Sequence, residues 1–261
     1  MTGQPPDSSM PARTPKSAAP RKPRTKGARS PNPTTTPAPQ NVTLIVGTDT
    51  GVGKTWVTCA VARALIAAGQ QVIAIKPVET GDPISGNPDD EDGTLLAVAT
   101  GQAEPRRALI RLKSPVAPAI AADLEGITID TDELVTRIRA FSANRSITLV
   151  ETAGGVLAPL TWHDNALDLA HKLNARALLV AVDRLGTINH TLLTLHRLKA
   201  DRVPVVGVVL TAPEVPDEST RSNAAAIARL SGMDLVWPVP RLADPMQAAE
   251  ALKEVAGWLL P

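Results

Sequence analysis

Cysteine is nearly absent. Cys59 stands alone in 261 residues, which excludes an internal disulfide framework, and no Cys/His cluster offers a zinc site. No run is long and apolar enough to span a bilayer. Large apolar residues are also missing from residues 1–40, which are crowded with Pro, Ser, Thr, Lys and Arg. Such a segment cannot offset the entropy of ordering, so it is expected to be disordered. It has no continuous apolar core of a secretory signal, and its prolines spoil an amphipathic targeting helix. Acids are scarce there too: Asp7 faces seven basic residues, so the tail carries about +6 and the remainder about −5, giving the formal +1 of the whole chain. The tail reads as a solvated extension in preference to an anchor for acidic surfaces. A soluble, cytoplasmic protein that binds neither membrane nor nucleic acid is expected.

From Asn41 onward, short β-branched runs alternate with Ala/Leu-rich stretches. The predicted strands are 42–47, 71–78, 146–151, 177–183, 203–210 and 235–239. Being apolar on both faces, they suit a parallel sheet covered on each side. Helices near 54–68, 92–100, 131–142, 164–173, 188–199, 219–231 and 246–259 supply the crossovers that parallel strands require. The expectation is one doubly wound, mainly parallel α/β domain over 41–261, with ligands at the carboxyl ends of its strands.

After the first strand comes "VGTDTGVGKTWVT", Val46 to Thr58. Gly51 and Gly53 let backbone N–H groups close on phosphate oxygens, Lys54 reaches the β- and γ-phosphates, and Thr55 can bind Mg²⁺. Asp49, Thr50, Val52 and Trp56 complete the nucleotide-binding loop. Thr48 occupies the usual first-glycine position. Asp49 stands where partition and division-site ATPases carry an additional lysine, so the marker of that dimeric switch is missing.

The second strand ends in "KPVETG", which puts Lys76 and Thr80 beside the same crevice, where an ammonium can neutralise a transferring phosphoryl group. In the acidic stretch that follows, Asp92 heads a helix and is chosen to hold Mg²⁺, either directly or at one remove, with Asp89 and Asp90 as rivals. The third strand ends in "LVETAGG", where Glu151 stands in a position that holds Mg²⁺ in many nucleotide enzymes. A buried carboxylate without a cation would be costly.

The set "GTDTGVGKT", "KPVETG", "SPVAPAIAA", "ETAGG" and "GTINHTLLT", in that order, resembles the dethiobiotin synthetase family across residues 42–261. The resemblance implies an ATP-dependent cyclo-ligase that closes a ureido ring on 7,8-diaminopelargonate with CO₂, through a carbamate and a carbamic–phosphoric anhydride. It implies that Lys54 and Lys76 supply catalytic charge and that Thr55, Asp92 and Glu151 organise Mg²⁺. Thr50, Lys76, Thr80 and Pro118 would contact the diamine or its carbamate. Gly186, Thr187 and Asn189 would hold the distal carboxylate of a substrate lying in the partner subunit of a homodimer. Pro240, Arg241 and Leu242 would wall the base pocket. Thr211 stands where the family usually has an Asn that reads adenine, so base selectivity is expected to be relaxed. Thr152 replaces the first glycine of the family's "E-G-A-G-G".

Two other classes stay open. A partition or scaffold ATPase would use the same fold as a switch, with the basic tail as its one supporting feature. An amidotransferase-type synthetase would need a catalytic cysteine, and Cys59 falls within the phosphate-loop helix.

Overall fold

The computed structural model describes residues 41–83 and 85–260; the expectation for residues 1–40 lies outside them. In chain order the elements are β1 (Val42–Gly47), α1 (Lys54–Ala67), β2 (Val72–Ile75), β3 (Val78–Thr80), α2 (Asp92–Thr100), β4 (Ile110–Leu112), α3 (Pro118–Glu125), α4 (Thr131–Ser142) and β5 (Ile147–Gly155). Then follow α5 (Ala166–Leu173), β6 (Arg176–Val182), α6 (Thr187–Ala200), β7 (Val205–Thr211), α7 (Asn223–Ser231), β8 (Val236–Val239), α8 (Pro245–Ala251) and α9 (Lys253–Gly257).

Six strands form one parallel sheet in the order β2-β5-β1-β6-β7-β8. Every residue of β1 is buried, as a central strand covered on both faces requires. Alternate side chains serve opposite layers. Leu44 and Val46 pack with Ile138, Leu169, Leu173 and Leu195, whereas Ile45 packs with Val57, Val61, Leu65, Leu252 and Val255. The doubly wound α/β fold expected from the pattern is thus the fold observed. Because β1 has β5 on one side and β6 on the other, the connections diverge there and open a crevice at its carboxyl end.

Local departures from the sequence reading have identifiable causes. The strand expected over 71–78 stops at Ile75, and Val78–Thr80 pairs instead with β4 in a separate two-stranded parallel sheet. Pro77 has no N–H to continue the first ladder; its carbonyl and that of Lys76 accept from Ile110 and Leu109. The stretch expected as one helix over 246–259 is divided at Leu252 into α8 and α9. Helix α3 was not anticipated, although Pro118 at its first position is a common helix start. No helix among the described residues is long and apolar enough to cross a membrane.

The outer edge of β2 is closed by a side chain. Buried Gln102 accepts from the Ala74 N–H and donates to the Ala74 and Pro105 carbonyls, completing the edge as a neighbouring strand would. Gln102→Leu leaves those backbone groups without partners and is expected to lower unfolding free energy by about 1–3 kcal/mol. Urea denaturation should show an earlier midpoint with an unchanged slope.

Candidate functional site

The phosphate loop leaves β1 and enters α1 through Gly51 and Gly53, at φ +72° and +87°, a region that other residues disfavour. Gly53 caps α1 without any side-chain hydrogen bond, so the first-turn N–H groups are left for an anion, which the helix dipole also favours. Lys54 folds back over the loop and donates to the Asp49 carbonyl at 2.9 Å. Burial first, and the Lys76 charge second, bring its pKa down to about 8 against the pull of Glu151 and Asp92.

Beside this loop lies a charge cluster assembled from four elements. Lys76, just past β2, donates to Asp92 Oδ2 at 2.7 Å and to Glu151 Oε1 at 2.8 Å. Burial opposes the ammonium, but Glu151 and Asp92 outweigh it and hold the lysine above its ordinary pKa. Burial likewise opposes the charge of Asp92, yet Lys76 and the Thr55 hydroxyl keep its pKa below the usual carboxylate value. Thr55 Oγ1 lies 2.7 Å from Asp92 Oδ1 and 2.8 Å from Glu151 Oε1. Thr58, one turn on, contacts Glu151 Oε2 at 2.9 Å and the Lys54 carbonyl at 2.8 Å.

A threonine hydroxyl has one proton, so Thr55 can donate to only one of the two carboxylates that flank it. Three hard oxygens in such close contact suit a small divalent cation. Mg²⁺ typically takes one or two carboxylates and completes its shell with phosphate oxygens and water. The residues present therefore fit Mg²⁺. Among the described residues no group of three or more His, Cys, Asp or Glu forms a metal cluster.

A cleft of about 960 Å³ brings together Asp49, Thr50, Gly51, Gly53, Lys54, Thr55, Lys76, Thr80, Asp92, Pro118 and Glu151. Of the rival carboxylates, Asp90 lines this cleft but accepts from Ser85 at 2.6 Å, while Asp89 does not line it. Gly186, Thr187 and Asn189 do not line it either; they begin α6, after β6. A second cleft of about 640 Å³, on the β7–β8 side of the loop, is lined by Val52, Trp56, Thr211, Pro240, Arg241 and Leu242. Trp56 Nε1 donates to the Leu242 carbonyl at 3.0 Å and ties α1 to that wall. The hydroxyl of Thr211 is directed at the carbonyls of Val52, at 2.9 Å, and Ala181, at 3.2 Å. Its proton is committed to the backbone, which makes Thr211 a strut under the phosphate loop. Sequence reasoning gave no role to Glu79 or Thr58. The i, i+3 spacing of Thr55 and Thr58 was a usable signal for the second; Glu79 lies inside the motif already singled out.

A phosphate loop at the head of a parallel sheet, with a lysine, a threonine and two carboxylates around it, defines a nucleotide-binding protein of the P-loop class. Residues 41–249 match a family model described as an AAA domain. The ATP-dependent dethiobiotin synthetase BioD of Anaeromyxobacter dehalogenans is 41% identical over 216 residues, covering 81% of this chain and 95% of that one. The Aquifex aeolicus protein of the same name is 38% identical over 77% of this chain and 89% of its own. The chain belongs to the dethiobiotin synthetase family. Among solved structures, the Pyrococcus furiosus cell division ATPase MinD superposes with a TM-score of 0.57 at 18% identity, over 84% of this chain and 98% of that one. A ParA family ATPase from Chlorobium tepidum gives 0.52 at 14%, over 84% and 97%. At such identities the likeness is one of fold alone.

Phosphate binding at this loop needs the charged form of Lys54. With a pKa of about 8, Lys54 should lose that proton progressively as the pH rises past 8 and must recover it to bind, so ADP affinity should fall, by up to about tenfold per pH unit well above 8. Calorimetry in buffers of different ionisation heat should detect proton uptake on binding at pH 9 and little at pH 6. An affinity that is flat from pH 7 to 10 would contradict the lowered pKa.

Proposed function

We propose that this chain is an ATP-dependent dethiobiotin synthetase, closing the cyclic urea of dethiobiotin on 7,8-diaminopelargonate with CO₂. The observation that carries the reading is the convergence of Lys54, Thr55, Lys76, Asp92 and Glu151 on one cleft that also presents Thr80 and Pro118. ATP would lay its phosphates on the N-terminus of α1, with Lys54 against the β- and γ-phosphates. One amine of the diamine takes up CO₂ and loses a proton to form a carbamate. A carbamate oxygen attacks the γ-phosphorus as the bond to the β-phosphate oxygen breaks and ADP leaves. The neighbouring amine then attacks the anhydride carbon, forming the second C–N bond, expelling phosphate and releasing a proton.

Such chemistry relies on positioning and on neutralising charge. Lys76 places an ammonium beside the transferring group, and Thr50, Thr80 and Pro118 line the side of the cleft assigned to the diamine. Thr55, Asp92 and Glu151 would hold Mg²⁺, which when bound supplies charge to the phosphate oxygens. Gly186, Thr187 and Asn189 stand outside the cleft. This supports a homodimer in which the N-terminus of α6 receives the carboxylate of a substrate held in the partner subunit. The second cleft suits the base, whose recognition falls to the backbone around 212–214 and 240–243, because the Thr211 hydroxyl is occupied. Residues 41–261 constitute the catalytic domain, acting in the cytoplasm.

Neither alternative gains support. Asp49 stands where the switch ATPases carry a lysine. Burial pushes the Cys59 thiol up to about 12, which disfavours the thiolate that an amidotransferase needs.

Purified protein given the diamine, bicarbonate, Mg²⁺ and ATP should yield the cyclic urea by mass spectrometry, one ADP for each product. Lys76→Ala should lower turnover on the order of 10²-fold or more, in a protein shown by circular dichroism to be folded. ATP hydrolysis without cyclic urea would contradict the assignment.

A further inference from the structure

The N-terminus of α2 is held by two residues, Glu79 on β3 and Arg111 on β4, that the chemistry above leaves without a role. Glu91 caps this helix but makes no side-chain capping bond. The partner comes from β3: Glu79 accepts the Asp92 N–H on Oε1 at 2.6 Å and the Gly93 N–H on Oε2 at 3.1 Å. Across the two-stranded sheet, the register partner of Glu79 is Arg111 on β4, whose guanidinium pairs with buried Glu91. Gly93 lies flat on the chain at Arg107 and Ala108; an added Cβ would fall 2.2 Å from the Ala108 nitrogen. Three consecutive residues, Glu91 to Gly93, are thus fixed by an acid, a base and a close backbone approach.

We propose that Glu79 and Arg111 are positioning residues that aim Asp92 at Thr55 and Lys76, so that the small β3–β4 sheet sets the metal-binding geometry. The proposal rests on the reading of Asp92 as a Mg²⁺ ligand. Glu79 fixes the backbone from which the Asp92 carboxylate projects, while Arg111 fixes the residue before it. The carboxylate of Asp92 meets Thr55 at 2.7 Å and Lys76 at 2.7 Å because its backbone cannot rotate away. The same strand carries Thr80 and follows directly from Lys76, so the acid that orients the metal ligand sits on one short segment with two other residues of the cleft.

The test is calorimetric titration of the full chain with ADP, in Mg²⁺ and in EDTA, the ratio of the two affinities being the readout. Removing a residue that orients a metal ligand typically costs about 10–100-fold in metal affinity. Glu79→Ala should shrink the Mg²⁺-dependent gain about tenfold or more and leave affinity in EDTA within about twofold. Arg111→Met should do so more weakly. Glu79→Gln keeps one acceptor and the side-chain volume; it should fall between wild type and Glu79→Ala, and serves alone if the alanine variant does not fold. In an Asp92→Asn background Glu79→Ala should have no additional effect, since it acts through that carboxylate. An equal loss in that background, or an undiminished Mg²⁺ gain in folded Glu79→Ala or Glu79→Gln, would overturn the proposal. If Asp92→Asn itself keeps the full Mg²⁺ gain, the metal role of Asp92 fails and the proposal fails with it; a Mg²⁺-sensitive Asp92→Asn beside an indifferent Glu79→Ala removes the positioning role alone.

Discussion

The ammonium of Lys76, held between Asp92 and Glu151, is the interaction on which the site depends. Glu151 is fully buried and Lys76 nearly so. Each charge is costly there without the other, because removing one partner leaves an uncompensated, buried ion. The parallel sheet makes the meeting possible. β2 and β5 are neighbours with the same direction, and their register, Ile75 beside Val150, brings Lys76, just past the end of β2, level with Glu151 in the middle of β5. β1, on the other side of β5, delivers the phosphate loop and with it Thr55. Asp92 enters from outside the main sheet, and the β3–β4 pair with its ionic clamp holds that helix end in place.

The phosphate loop divides the ligand space into two clefts. One contains the charge cluster; the other is walled by Trp56, Thr211 and the segment after β8. A nucleotide lying across the loop would put its phosphates in the first and its base in the second. The fold permits this arrangement without dictating the reaction, since a cell division ATPase and a ParA family ATPase superpose on the chain at 14–18% identity. The side chains around the loop narrow the choice, and the family shown by relatives 40–41% identical over 81–82% of the chain is the one they point to.

What the sequence disclosed depended on how local the cause was. The loop after β1 and Lys76 after β2 were legible because strand, turn and functional residue are adjacent in the chain; Glu151 was legible as the carboxylate after an apolar run, although the strand expected to end there continues to Gly155. Thr211 was found as a position but not as a role, because its hydroxyl is claimed by Val52, 159 residues away. Glu79 was passed over for the same kind of reason: its partners are the backbone N–H groups of a helix start, invisible in a pattern of side chains. The split of the second strand at Pro77 was readable from proline's missing donor, but apolar residues on both sides of it masked the break.

The central claim is that the γ-phosphoryl group passes to a carbamate oxygen, and oxygen labelling tests it most directly. With C¹⁸O₂, the diamine and unlabelled ATP in unlabelled water, a single turnover should give inorganic phosphate carrying one ¹⁸O, visible as a shifted ³¹P resonance. Phosphate without label, formed alongside the cyclic urea, would mean that the phosphoryl group never reached the carbamate and would contradict the account.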